Sequence, residues 1–74
     1  YIPERWAAAG MKNRIRELRR ELGWRQEDLA RKAGVTRQTI NAIENDKYNP
    51  TLALAMRLAR LLKTPVEELF QLEE

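Results

Sequence analysis

Residues 26–44, QEDLARKAGVTRQTINAIE, constrain the fold of this chain more than any other stretch. Their types answer the demands of two short helices meeting at a tight turn. Ala30 is small where a second helix must cross closely. Gly34 can take a positive φ without a Cβ clash, which a helix running into a turn commonly needs. Val35 plugs the corner, and Thr36 is placed to cap the next helix. Ile40 and Ile43 stand three apart and share one helical face.

The rest of the chain extends this pattern. A first helix is expected from about Lys12 to Leu22, with Ile15, Leu18 and Leu22 as its apolar stripe and Gly23 as its stop. The second should cover about Gln26 to Ala33, and the third should run from just after Thr36 to near Asn45. Asn45-Asp46 then turn the chain, and Asn49-Pro50 oppose a continuing helix. Thr51 caps a fourth helix reaching about Lys63, with Leu52, Ala55, Leu58, Ala59 and Leu62 facing inward. Thr64-Pro65-Val66-Glu67 reads as a capped start for a fifth helix bearing Val66, Leu69 and Phe70. No strand alternation competes, so an all-α fold without strands is expected.

Composition narrows the function classes. The chain has 74 residues, which suits one small domain. Hydrophobic residues make up 43% and charged ones 34%, with three Gly and three Pro, the balance of a helical globule. There is neither Cys nor His, which removes thiolate and imidazole chemistry. No Gly-rich phosphate loop or paired-acid motif is visible, so no enzyme and no cofactor or metal is expected. No apolar run approaches membrane length, and no signal peptide is evident; a cytoplasmic location is the expectation. Residues 11–63 hold thirteen Lys/Arg against six Asp/Glu, a net +7, whereas 64–74 carry −4. A basic body with an acidic tail points to a polyanionic partner or to a solvated basic surface. Met11 begins a plausible native opening. Tyr1–Gly10 (YIPERWAAAG) reads as an expression remnant, a fused peptide or a linker; a processed native extension is the alternative.

Two short helices joined through Gly34 form a helix-turn-helix, whose second helix is suited to the DNA major groove. Several segments occur in order: RELRRELG at 16–23, Q-x-x-x-A-x-x-x-G-V at 26–35, I-x-x-I-E at 40–44, Asn49-Pro50, and PVEELF at 65–70. Over about residues 11–70 the chain resembles the phage repressor/Cro (Xre) family, in its small stand-alone form. The resemblance implies a five-helix lambda-repressor-like DNA-binding domain over residues 11–74, with the helix-turn-helix at helices 2 and 3. It implies a transcriptional regulator, most simply a repressor, that binds an inverted-repeat operator in double-stranded DNA as a homodimer. It implies no small-molecule ligand. The alternative is an antitoxin-type DNA-binding protein that mainly neutralises a partner protein.

The family carries its base readers in the first two turns of the third helix, which here are Arg37, Gln38, Asn41 and Ala42. Arg37 suits guanine, Gln38 adenine, and the Ala42 methyl a thymine methyl. Arg37 is alternatively a phosphate contact, and Gln38 and Asn41 ordinary surface polarity. Phosphate contacts are expected from Arg25, Gln26, Thr36, Asn45, Lys47 and Tyr48. Arg25 replaces a frequent Ser or Thr cap, and Asp46 replaces a frequent Gly. Arg19 and Glu44 match a buried ion pair of the phage repressors; Arg19 is otherwise one of a run of phosphate-binding arginines. Trp24 is a core plug or, less simply, a base-stacking residue. Leu54, Met56, Leu61, Phe70 and Leu72 exceed the needs of the main stripe and would form either a dimer surface or one wide core face.

Overall fold

A computed structural model describes residues 11–72. The elements run β1 Met11–Asn13, α1 Ile15–Glu21, α2 Gln26–Ala33, α3 Arg37–Glu44, α4 Leu52–Leu61, α5 Val66–Leu69 and β2 Phe70–Leu72. The reading of Tyr1–Gly10 lies outside the described residues.

Five helices form, but strands form too. β1 and β2 pair antiparallel, with Met11 opposite Leu72, Lys12 opposite Gln71 and Asn13 opposite Phe70. Lys12 and Phe70, expected in helices, are therefore extended. Asn13 is the reason at one end. Its Oδ1 accepts from the Ile15 N–H at 3.1 Å, so it turns the chain before α1 rather than continuing the helix. At the other end α5 is only four residues long, and Arg14 N–H donates to Leu69 O at 3.0 Å where the chain leaves it. Thr64 also departs from expectation. Its hydroxyl donates back to Leu62 O at 3.0 Å, and Pro65, not Thr64, stands at the N-cap of α5.

Four helices end in one device. Past each, the N–H of a residue just beyond the helix reaches five residues back: Trp24 to Arg19, Val35 to Ala30, Lys47 to Ala42 and Thr64 to Ala59. This is the Schellman arrangement, and it places one residue in the left-handed region. Those residues are Gly23 (φ 74°), Gly34 (φ 75°), Asp46 (φ 59°) and Lys63 (φ 54°). At Gly34, Arg57 of α4 adds a further cap, its Nη1 donating to Ala33 O at 2.8 Å.

The core gathers Ile15, Leu29, Ile40, Ile43, Leu58 and Leu69, all fully buried. Ala30 is 3% exposed, which lets α3 cross α2 closely. Leu18, Trp24, Val35 and Leu61 pack at the edge of this core. Lys32 Nζ stands 5.0 Å over the Trp24 ring. Leu22 is exposed, because α1 ends one residue before it.

The inward face of α4 is shifted from the expected stripe. Leu54, Ala55, Leu58, Ala59 and Leu62 are buried, while Leu52 is 72% exposed. Leu52 is the first helical residue after the Thr51 cap and projects from the helix end. Leu54 and Phe70 are consumed by the chain's own core, at 8% exposure each, and so drop out of the expected dimer surface. Leu61 is half-buried against that core. Met56 remains 45% exposed, and Leu72 lies in β2.

Candidate nucleic-acid interface

Helix α3 carries the exposed face of greatest chemical interest. Thr36 begins it, its Oγ1 accepting from the Thr39 N–H at 3.3 Å, as an N-cap requires. Ile40, Ile43 and Glu44 are buried by the 3.6-residue repeat, which turns Arg37, Gln38, Asn41 and Asn45 to solvent. Arg37, Gln38 and Asn41 line one cleft of about 330 Å³. Ala42, on the same helix, is half-buried and does not line that cleft. Helix α3 thus presents a cation and two amides together, side-chain types that can recognise base edges.

Beside it, Arg19, Arg25, Gln26, Glu27 and Arg37 line a second depression of about 270 Å³ at the start of α2. Arg25 is exposed at the N-cap position, and its backbone N–H donates to Asp28 Oδ2 at 2.8 Å. That hydrogen bond holds the Asp28 carboxyl below its usual range. Lys47 and Tyr48 are exposed in the segment that follows α3. Gln26 is oriented differently from the others. Its Nε2 donates to Asn41 Oδ1 and to Glu44 Oε1, both at 3.1 Å. With its side chain so engaged, Gln26 has only its backbone N–H at the start of α2 to offer an anion.

The structure brings Arg19 and Glu44 together across α1 and α3. Arg19 Nε donates to Glu44 Oε2 at 2.8 Å, and Nη2 donates to Oε1 at 3.1 Å. This is a two-pronged pair, the geometry a guanidinium matches best. The Glu44 side chain is wholly buried and that of Arg19 is 9% exposed. Arg16 Nε adds a bond to Glu44 Oε1 at 3.2 Å. Burial pushes the Glu44 carboxyl up, but hydrogen bonds from Arg19, Gln26 and Arg16 outweigh it and hold the group below its ordinary value. Arg19 Nη1 also donates to Trp24 O at 2.8 Å, tying the turn after α1 to the same pair. No buried side-chain N or O among the described residues lacks a partner.

Two contributors escaped sequence reasoning. Arg16 bridges Glu44 and Asn45, with Nη2 2.9 Å from Asn45 Oδ1. Asn13 Nδ2 donates to Ile43 O at 2.8 Å and to Asp46 Oδ1 at 3.2 Å, pinning the C-terminal end of α3 to β1. An Asn just ahead of the Ile15 periodicity was the available signal for Asn13. Nothing local signals the bridge from Arg16. Among the described residues there is no group of three His, Cys, Asp or Glu placed to hold a metal, and no helix long and apolar enough to cross a membrane.

Comparison with known proteins agrees with this geometry. Residues 15–69 match the family model described as Helix-turn-helix. The chain belongs to that family, in its phage repressor/Cro-like branch, and is a DNA-binding transcriptional regulator. A relative in Methanothermobacter thermautotrophicus, an uncharacterized HTH-type transcriptional regulator, is 52% identical over 65 residues, spanning 86% of this chain and 94% of its own. Among solved structures, the restriction-modification controller protein C.AhdI from Aeromonas hydrophila superposes with a TM-score of 0.69 at 34% identity, over 74% of this chain and 83% of that one. The N-terminal DNA-binding domain of SinR from Bacillus subtilis gives 0.66 at 31% identity, over 72% and 78%. Antitoxin HipB of Escherichia coli is 33% identical over 51 residues, 69% of this chain and 58% of its own length.

Proposed function

We propose that this regulator is a sequence-specific repressor that reads an inverted-repeat operator with α3 in the major groove, as a homodimer. The observation that carries the reading is the exposed row of Arg37, Gln38 and Asn41 on a short helix whose other side is locked to α1 and α2. Groove reading needs such a row held in one orientation. Arg25, the backbone at Gln26, Thr36, Lys47 and Tyr48 supply phosphate contacts, whereas the Asn45 amide is spent on Arg16 and Asn41. The regulator acts in the cytoplasm, on the nucleoid. Dimerisation falls to the exposed apolar pair Leu52 and Met56, one turn apart on α4, rather than to Leu54 and Phe70. Two reading helices related by a two-fold axis would enter successive major grooves about 34 Å apart. The likeness to HipB covers the helix-turn-helix region and supports the shared DNA-binding part of an antitoxin.

The test is selection of bound sequences from a random double-stranded pool. An enriched inverted repeat supports the reading, dimer included. Gln38→Ala should then lose roughly 1–3 kcal/mol at one symmetric base pair while non-specific binding stays nearly intact. A variant that relaxes preference at no position would remove α3 as the reading head.

A further inference from the structure

Asn41 stands in the middle of the exposed face of α3, one turn from Arg37 and one turn from Asn45. An amide's oxygen and nitrogen have similar outlines, so its hydrogen-bond partners decide which way it faces. Two partners decide it here, and each is itself oriented by a charged group. Arg16 Nη2 lies 2.9 Å from the Asn45 side chain. A guanidinium only donates, so the Asn45 oxygen must face Arg16. Asn45 is left to turn its Nδ2 toward Asn41, 2.9 Å from the main-chain oxygen and 3.2 Å from Oδ1.

On the other side, the Gln26 amide lies 3.1 Å from Glu44 Oε1. Glu44 is ionised at neutral pH beside Arg19, and a carboxylate only accepts. Gln26 therefore turns its Nε2 inward, and that same nitrogen is 3.1 Å from Asn41 Oδ1. Both neighbours offer N–H groups to Asn41. Its oxygen must face them, and its Nδ2 is what remains for a ligand.

We propose that Asn41 is a donor-only reader, selecting guanine or thymine at one symmetric base pair and rejecting the adenine that an unrestrained asparagine favours. The proposal rests on α3 being the reading head. Asparagine ordinarily pairs with adenine by donating to N7 while accepting from the N6 amino group. Asn41 keeps the donor, but its acceptor is turned away and doubly engaged. Against adenine N6 or cytosine N4 it sets N–H against N–H. Guanine O6 and thymine O4 are acceptors where adenine and cytosine carry amino groups, and these positions make the distinction, since N7 is common to both purines. Arg16, Gln26, Glu44 and Asn45 are positioning residues: they act on base preference through the orientation of Asn41.

The experiment uses the full chain and the operator selected above, with each symmetric pair replaced in turn. At one pair the wild type should prefer a keto base by roughly tenfold over adenine or cytosine. Asn41→Ala should flatten that preference alone. Asn41→Asp turns an acceptor outward; it should weaken all sites by its charge but reverse the order at this pair toward cytosine or adenine. Gln26→Leu combined with Asn45→Ala removes both inward donors, and adenine should rise at this pair while the other positions keep their rank. That change of rank is one a merely structural role would not produce. If Asn41→Asp fails to fold, Asn41→Ala and the double variant decide. Adenine preferred by the wild type at the pair flattened by Asn41→Ala would overturn the proposal. So would equal weakening of all sequences by Asn41→Ala, which marks a phosphate contact. A pool that yields no enriched sequence overturns the reading head and this proposal together; an enriched operator without keto selectivity overturns this proposal alone.

Discussion

The two halves of this small domain are held by different forces. The junction of α1, α2 and α3 is fastened by Arg16, Arg19, Gln26 and Glu44, a buried carboxylate with donors from two helices. The side built on α4 and α5 is held mainly by Leu54, Ala55, Leu58, Ala59, Leu62 and Leu69, with the hydrogen bond from Arg57 to Ala33 O as its polar fastening to α2. Apolar burial is non-directional and tolerates small rotations of a helix. A two-pronged guanidinium–carboxylate pair fixes an angle. On the function proposed above, the half that aims side chains at a base edge is the half built on directional bonds. Net stability does not explain that choice, because desolvation can cancel the attraction of a buried pair.

The largest effect is expected on the apolar side. Leu58→Ala should cost about 3–5 kcal/mol, by lost transfer energy and a residual cavity. Its DNA preference, measured under conditions where the variant is folded, should match the wild type. A changed base preference would break the division of labour. Arg19→Ala should cost about 3 kcal/mol in denaturant unfolding, since Glu44 is left buried. The half-exposed Arg16 remains beside Glu44 and keeps the loss toward the lower end of what such a deletion causes. An unfolding midpoint equal to that of the wild type would show that the pair adds orientation alone.

Acid should distinguish the halves next. Glu44 titrates lower in the folded protein than in the unfolded chain. Its contribution is therefore fully present above the unfolded value, about 4.3, and is lost as pH falls through the lower folded value. The thermal midpoint of the wild type should drop more steeply below about pH 4.3 than that of Glu44→Gln. Parallel curves would assign the acid response elsewhere.

The smallest effects concern the two non-glycine residues at left-handed positions. Lys63→Gly should stabilise by about 1 kcal/mol, because it relieves the Cβ crowding of a left-handed residue. Asp46→Gly should gain little or nothing, since Asp46 Oδ1 accepts from Asn13 and that bond would go. Equal gains at both sites, read from thermal midpoints, would mean that the Asn13 bond contributes nothing measurable.

These particulars also show what a sequence discloses. The turn at Gly34, the cap at Thr36, the cap at Thr51 and the inward face of α3 are local, set by neighbours within one or two turns. They were legible from the residues alone. Leu52 and Leu54 were exchanged because Leu52 stands three before Ala55 and Leu54 four before Leu58, so each fits a helical stripe; only the exact start of α4 separates them. The strands were missed because each is three residues long, with partners at opposite ends of the described chain. At the site, Arg37 and Gln38 could be placed on a face from helical geometry alone. The orientation of Asn41 could not, because it depends on Arg16, Gln26 and Glu44 meeting across three helices.

The β1–β2 ribbon has a consequence for the order in which the molecule opens. It joins residues 11–13 to 70–72, so all five helices lie inside one closed ring. The entropy of closing a ring grows only with the logarithm of its length, and this clasp is little harder to shut than a much shorter one. Yet a two-stranded ribbon this short is marginal by itself. Its amides should exchange with solvent well before those of α2 and α4, while the helices stay packed. The clasp is thus the latch expected to spring first, and through Asn13 it would let go of the far end of α3 as it springs.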